Sequence, residues 1–478
     1  MTTRLIVGVA GLLTAIGSTF GSLWFLAIAG MALFIYQLWF QTSTRKDALL
    51  LGSIYSLVVS GAGIIWFFDA YPLDWLGIHG ALSQGLVLFL AWLVVSLSLT
   101  VGPALAALVL WHIRTSPYRI VIAAVLWILA EEARMWGFAF LTFSHASLIG
   151  PHFSIVSLGY VLANSPFLLQ LATHGGLAAL TFFAVLLSGS IAVVASGTIA
   201  VRERWLIAIL LVGMLLLPLW YGLNKRDEVK TAPLSVVLVS TKDTADEPTH
   251  DTLQSSELVR KALNLYPRPD LVIFPENYAV SGEVALHKTD KENEVLFISS
   301  EKKIAESGGT YTVDLVYDST SDGRLATYHK QFFMPLGEYA PTLSIPLFSL
   351  VQNESVNRYL KKLSGLTSKG EGFVTVEYKG QVVGGLLCSE SISPYLYKQL
   401  AKQGATVLVN SANPAWFRGS SILNEKLIRI GRVQAVSNHA YYLQASNDLP
   451  SFALSPTGEM LASSSTDDVE LLQVPLSR

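Results

Sequence analysis

Apolar positions run almost unbroken through the first 222 residues, then give way to short alternating stretches. Runs of about 17–25 apolar residues match a hydrocarbon core ~30 Å thick. Seven such runs fall at about 5–21, 23–40, 48–68, 86–111, 120–143, 174–196 and 205–222. Only "GSTFGS" separates the first two. One helix across both would be about 54 Å long at 1.5 Å per residue, so a hairpin is predicted. A cleaved signal peptide is not the reading of the first run, because no A-x-A-like site precedes a soluble segment.

From Ser235 the period shortens. "SVVLVS", "LVIFPE", "TYTVDLVYD", "FVTVEYKG", "VVGGLLC" and "ATVLVNSA" are β-branched runs bounded by Gly, Pro, Asn or Asp, and "DTLQSSELVRKALNLY" and "SPYLYKQLAKQG" have helical spacing. The alternation predicts a mixed α/β domain in which some strands are joined by hairpins, with a turn at Tyr378, Lys379 and Gly380, and others by helices. The charged stretch "HKTDKENEV" (287–295) reads as an exposed loop or helix entry. The chain therefore divides into a membrane domain of about seven helices, 1–222, and a water-soluble domain, 223–478.

Composition and charge sharpen that division. Hydrophobic residues make up 51% of the 478 and charged residues 14%, against about a quarter charged in an ordinary soluble domain. Residues 1–222 hold only 8 of the 33 Lys and Arg and 6 of the 35 Asp and Glu. With a net charge of −2 and neither a basic cluster nor zinc-type ligand spacing, nothing supports nucleic-acid binding, a metal site or a cofactor. Arg4, Arg45, Lys46, Arg114, Arg119, Arg202 and Arg204 fall at the N-terminus or in alternate connections. The positive-inside rule then makes the N-terminus cytoplasmic, and seven crossings put 223–478 outside.

Inside the fifth run stand Glu131, Glu132 and Arg134. Charges at that depth usually pair, and Glu131 and Arg134 are three apart on one helical face. They read either as a structural ion pair or as the polar wall of a cavity that admits a lipid headgroup. The long outer connection 144–173 is expected to pack under the soluble domain, with His145 and His152 as interfacial polar residues rather than ligands.

Three ionisable residues close apolar strands in the second half: Glu276 after "LVIFP", Lys330 after "RLATYH" and Cys388, the single cysteine, after "VVGGLL". Taken alone each has a bland explanation, and a lone Cys among Leu and Gly is usually a small core hydrophobe. Together they supply base, cation and nucleophile. A thiol needs its proton removed before it attacks, and the oxyanion that follows needs a positive group and backbone N–H donors. No G-x-S-x-G elbow occurs, and the histidines do not suggest a Cys–His pair. Gly384 and Gly385 are expected to admit a close approach of neighbouring backbone.

In their setting, "LVIFPEN", "HKQFFMPLGEYAP", "GGLLCSE", "NPAWF" and "SNDLPSFALSPTGEML" resemble the nitrilase (carbon-nitrogen hydrolase) superfamily, with its Glu–Lys–Cys triad on an α-β-β-α sandwich. The lysine segment and the preceding spans, with "LWILAEEARMW" and "LGYVLANSPFLLQLATHGG", are similar to its membrane branch, the apolipoprotein N-acyltransferase family. The resemblance implies a polytopic α-helical membrane domain followed by a nitrilase-like sandwich, in a bacterial inner membrane with the catalytic domain periplasmic, acting as a monomer. It implies ping-pong transfer of an acyl chain from a phospholipid to the α-amine of a diacylglyceryl-cysteine through a thioester on Cys388. Glu276 would be the base, and Lys330 with the Ser389 N–H would face the oxyanion. Glu338 would orient Lys330 or the acceptor amine, and Glu390 matches the family's acidic residue two after the nucleophile. The sequence departs from the family at Ser389, where tyrosine is common, in "VLVSTKDTADEPTH", which lacks a Gln-Gly-Asn run, and in "VELLQVPLSR", which is too short for a further span. A membrane-anchored amidase or hydrolase using the same triad, and a catalytically idle scaffold, are the alternatives.

Overall fold

The structure, a computed structural model, describes residues 2–74, 78–197, 233–242, 252–304, 311–343, 368–465 and 469–476, with isolated positions between 205 and 216 and at 363. Six of the expected spans fall on helices: α1 (Thr2–Thr19), α2 (Trp24–Tyr36, continued by a π turn Gln37–Gln41), α3 (Arg45–Gly63), α4 (Ala81–His112), α5 (Arg119–Leu141) and α6 (Ala172–Ser196). The stretches Gly21–Gln41, Ala81–Thr115 and Ala172–Ser196 are each long and apolar enough to cross a bilayer by themselves. The seventh expected span, 205–222, lies outside the described residues apart from scattered positions, and so does the expected domain boundary at 222/223.

The first two runs do form a hairpin. A short 3-10 turn at Gly21–Leu23 separates α1 from α2. A Cβ on Gly30 would come within 2.5 Å of the Ala10 carbonyl oxygen and of Thr14 Oγ1, so the two helices touch through bare backbone, as small residues allow in membranes. The expected ion pair of α5 also forms. Arg134 lies 3.4 Å from Glu131, whose Oε1 accepts from the Leu158 N–H at 2.7 Å and whose Oε2 accepts from Thr181 at 2.8 Å. Glu131 is thus fully engaged in holding the outer connection onto α5 and α6.

The second half is two six-stranded sheets laid face to face, in the orders β12-β1-β2-β3-β4-β5 and β11-β10-β9-β8-β7-β6. In the first, β1 (Leu234–Ser240), β2 (Leu271–Ile273) and β3 (Leu296–Ile304) are parallel, and β4 (Tyr311–Ser319) and β5 (Gly323–His329) return as hairpins. In the second, β7 (Gln381–Leu387), β8 (Val407–Ala412) and β9 (Tyr441–Ser446) are parallel, and β6 (Thr375–Tyr378) meets β7 through the expected turn, with Lys379 and Gly380 both at positive φ. β10 (Phe452–Leu454) and β11 (Met460–Ser463) complete that sheet, and "VELLQVPLSR" supplies β12 (Glu470–Leu476), antiparallel to β1.

Parallel strands covered on both faces read as continuous apolar runs, and β1 and β2 show why. Val236, Leu238, Leu271 and Ile273 face the opposite sheet, whereas Val237, Val239, Val272 and Phe274 pack with Leu258, Val259 and Ala262 of helix α7 (Thr252–Leu263). Helices α8 (Leu396–Lys402) and α9 (Ser421–Asn438) belong to the second sheet's side, which completes the α-β-β-α layering.

The outer connection packs under this domain as expected. Its core side chains Phe153, Ile155, Tyr160 and Leu162 belong to one buried cluster that runs from the helices into the sheets. Polar ties fix the contact: the Leu148 N–H to the Gln331 carbonyl at 2.8 Å, the Phe333 N–H to Ser147 Oγ at 3.0 Å, and the Tyr339 hydroxyl to the Thr142 carbonyl at 2.7 Å. On α9, Arg429 donates to the Ser18 and Thr19 carbonyls at the end of α1. The second half is therefore seated on the helical half over a broad surface rather than hung from one helix.

Candidate active site

Three strand ends carry the three residues expected of a site. The parallel strands β2 and β7 finish just before Glu276 and Cys388, at the carboxyl edge where α/β sheets place their ligands, and β5 ends immediately before Lys330. Glu276 is steadied by its neighbours. The Asn277 backbone is left-handed (φ 77°) and its N–H donates to Ser300 Oγ at 2.6 Å, while Ser411 Oγ of the facing sheet donates to the Phe274 carbonyl at 2.7 Å. Cys388 itself has φ 46°, a conformation that costs a non-glycine residue on the order of 1–3 kcal/mol. The strand breaks sharply there into a 3-10 turn, Cys388–Ile392.

Lys330 is 1% exposed and stands between two carboxylates, its Nζ donating to Glu276 Oε1 at 2.8 Å and to Glu338 Oε1 at 2.7 Å. Glu338 is fixed in turn, its Oε2 accepting from the Met334 N–H at 2.7 Å. Glu390 is fully buried and accepts four bonds. Oε1 takes the Tyr328 hydroxyl at 2.7 Å and the N–H groups of Gln331 at 2.8 Å and Phe332 at 3.2 Å, and Oε2 takes the Leu387 N–H at 2.9 Å. It thus ties the cysteine strand to the lysine segment. Ser389 does the same, donating through Oγ to the Phe332 carbonyl at 2.7 Å. Its backbone N–H follows the cysteine in the first turn of the 3-10 segment, where N–H groups lack partners within the turn.

The electrostatics favour a protonated thiol. Burial pushes the Cys388 thiol well up, the charge of Glu276 adds to this, and Lys330 only partly opposes it. Burial pulls the Lys330 ammonium down, but Glu276 and Glu338 outweigh it and leave the ammonium well above its ordinary value. Burial also raises Glu338, more than the adjacent Lys330 lowers it. Lys330 therefore stays charged and Cys388 stays a thiol. The backbone N–H of Asn413, just past β8, also acts on the thiol. A backbone donor of this kind leaves no side-chain signal in the sequence.

Two expectations are refined. At Gly385 the close neighbours are side chains rather than backbone: an added Cβ would collide with Leu315 Cδ2 and sit 3.1 Å from the Tyr317 hydroxyl, which accepts the Gly385 N–H at 2.7 Å. His152, read as interfacial, bonds Ser393 Oγ at 2.9 Å through Nδ1 and lies against Phe332, and burial pushes its pKa down to about 4. It braces the segment that follows the cysteine.

Known proteins match both halves. A family model described as carbon-nitrogen hydrolase matches residues 247–478, and one described as the apolipoprotein N-acyltransferase N-terminal domain matches residues 10–190. The chain is 25% identical to the apolipoprotein N-acyltransferase of Nitrosomonas europaea over 86% of its own length and 78% of the relative's. Against the same-named protein of Rickettsia prowazekii it is 24% identical over 75% and 70%. Against that of Aquifex aeolicus it is 30% identical over 43% of this chain and 45% of the relative, under half of that relative's length. Among solved structures, Saccharomyces cerevisiae Nit3, a member of branch 10 of the nitrilase superfamily, aligns over 51% of this chain and 90% of its own at 13% identity and a TM-score of 0.38.

Proposed function

The chain belongs to the apolipoprotein N-acyltransferase family, within the nitrilase superfamily, and from that premise we propose that it transfers an acyl chain from a phospholipid to the α-amine of a lipoprotein's N-terminal diacylglyceryl-cysteine. The observation that carries this reading is the buried Lys330 ammonium, held by Glu276 and Glu338, beside a protonated Cys388 thiol in a domain seated on membrane helices.

The proposed reaction runs in two halves. Cys388 Sγ attacks the ester carbonyl of the phospholipid as Glu276 takes the thiol proton, so that a thiolate forms only as it is consumed. Lys330 Nζ and the Ser389 N–H face the oxyanion of the tetrahedral intermediate. Its collapse breaks the C–O bond, Glu276 returns the proton to the departing alkoxide, and a lysophospholipid leaves behind a Cys388 thioester. The α-amine then attacks that thioester, its proton passes through Glu276 to the sulfur, and amide and free thiol result. Glu338 holds Lys330 in place throughout. In this reading residues 1–222 are the membrane domain and 223–478 the catalytic domain, with the N-terminus cytoplasmic and the triad at the outer face of the inner membrane.

Incubating the purified protein with phospholipid and no acceptor, then searching by mass spectrometry for a hydroxylamine-sensitive acyl group on Cys388, tests the proposal. Its absence from folded protein sinks the acyl-transfer reading. Discharge by water as fast as by a diacylglyceryl peptide replaces it with a hydrolase.

A further inference from the structure

α5 carries a row of exposed large apolar side chains, Val121, Val125, Leu129, Trp136 and Phe140. At 3.6 residues per turn these share one face, the face a span turns to lipid. Glu132 falls in the middle of that row. Unlike Glu131, it has no ion-pair partner among the described residues, and its one recorded bond is accepted from the Tyr395 hydroxyl of the catalytic domain. A carboxylate on the lipid face of a span without a counter-charge is costly.

A cavity of about 240 Å³ opens beside it. One wall is the start of α6, where Gly175 and Gly176 leave helical geometry and the helix begins again at Leu177. Gly176, at φ 60° and ψ −142°, adopts a conformation essentially reserved for glycine. Leu177 and Ala178, the first residues of the restarted helix, line the cavity, and a helix N-terminus favours phosphates. From Leu177 to Ser196 the helix is about 30 Å long, one hydrocarbon thickness, so the restarted end lies toward the boundary of the leaflet on that side. Lys398 of α8 also lines it, and Met135 and Ala178 give it an apolar flank. None of Glu276, Lys330, Glu338, Cys388, Ser389 and Glu390 does.

We propose that this cavity holds the headgroup of a zwitterionic phospholipid carrying a primary ammonium, as a bound ligand and not as the acyl donor. The ammonium pairs with Glu132, the phosphate meets Lys398 and the N–H groups of the restarted helix, and the acyl chains run along the apolar row of α5. Both signs of charge in one cavity match a zwitterion better than a purely anionic headgroup. A soluble phosphoethanolamine ester presents the same polar groups but leaves the apolar row uncovered.

The test uses full-length protein in nanodiscs of mixed phosphatidylethanolamine and phosphatidylglycerol, re-extracted into detergent, with the retained lipid identified by native mass spectrometry. Wild type and Cys388→Ala are expected to retain intact phosphatidylethanolamine in stoichiometric amount. Glu132→Gln is expected to retain about tenfold less, the loss of one charge-assisted hydrogen bond. Lys398→Met, on an exposed position that leaves folding intact, is expected to release the lipid in the same way. Equal retention of phosphatidylglycerol by wild type, or undiminished phosphatidylethanolamine on Glu132→Gln, overturns the proposal. Displacement by millimolar glycerophosphoethanolamine overturns the assignment to a lipid. Loss of the acyl adduct on Cys388 would sink the transfer reaction without touching these outcomes.

Discussion

Glu276 and Glu338 lie at almost the same distance from the Lys330 ammonium, 2.8 and 2.7 Å, yet the proposed chemistry gives them different work. Replacing Glu276 by Gln preserves shape and an acceptor for Lys330 while deleting a negative charge that, after burial, is the largest influence holding the Cys388 thiol up. A neighbouring charge is worth about one to three pKa units, so the thiolate population rises about tenfold or more. Alkylation of Cys388 by iodoacetamide, which reads that population at a partly exposed residue, is expected to speed up by the same factor. Acylation by phospholipid is expected to fall by about 10²–10⁴, the usual contribution of a general base. The same substitution thus moves the two reactions in opposite directions. In Glu338→Gln the alkylation gain is smaller, because Glu338 acts on the thiol less than Glu276 does. Its acylation drops about tenfold, since the new amide has a single acceptor oxygen and cannot accept from both Lys330 and the Met334 N–H as the carboxylate does. Stopped-flow alkylation and single-turnover acylation measure both quantities on one preparation. If Glu276→Gln slowed alkylation and acylation alike, or if the two variants were indistinguishable, Glu276 would be a structural partner of Lys330 and not the base.

Gly385→Ala places a methyl group against Leu315 and the Tyr317 hydroxyl between the sheets, an overpacking that lowers stability by about 1–3 kcal/mol, measurable as a lower melting temperature in detergent. His152, depressed to about 4 by burial, is neutral when folded and near 6.5 when unfolded. Its contribution is intact above about pH 6.5 and drains away as pH falls toward 4, by at most about 3 kcal/mol, so His152→Phe flattens the acid limb of a stability–pH curve. Lys426 of α9, lowered to about 7 by burial and then by Arg429, behaves in the same sense at higher pH. The unfolded chain holds that proton up to about pH 10, so stability rises with pH between about 7 and 10, and Lys426→Met removes the slope. A flat wild-type curve between pH 7 and 10 would show that the amine reaches solvent.

How far the molecule could be read from its residues follows from where each signal is written. The spans and the parallel strands were legible because both bury all their faces and so spell continuous apolar runs; length alone separates them. Strand β3 leaves a weak signal, because "LFISSEKKI" turns charged at Lys302 and Lys303, which emerge from cover. β12 leaves a weak strand signal because Pro475 interrupts it, which is tolerated where a strand lies at a sheet edge. Glu276, Lys330 and Cys388 stood out as polar groups closing apolar strands. The pairings that make them a site were hidden, since a sequence does not say that Lys330 answers two carboxylates, that Glu390 collects four donors, or that the Asn413 N–H reaches the thiol.

The charge arrangement also bears on why such a costly cluster is kept. Removing a buried ion pair in favour of well-packed apolar residues is often neutral or stabilising, so Glu276, Lys330 and Glu338 gain the fold little by being charged. Two carboxylates around one ammonium leave an excess of negative charge beside Cys388, the reverse of the electropositive setting that lowers a thiol's pKa and makes it reactive at rest. In the proposed reaction the consequence is a cysteine that stays a thiol until an ester carbonyl arrives. As the oxyanion forms in that reaction, the negative charge moves from sulfur to an oxygen facing Lys330, and the proton moves to Glu276. On the outer face proposed for this site, a resting thiolate would be open to oxidation and stray disulfides. A thiol whose deprotonation is coupled to attack escapes both, and the strained φ of Cys388 and the buried charges are then the structural cost of that coupling.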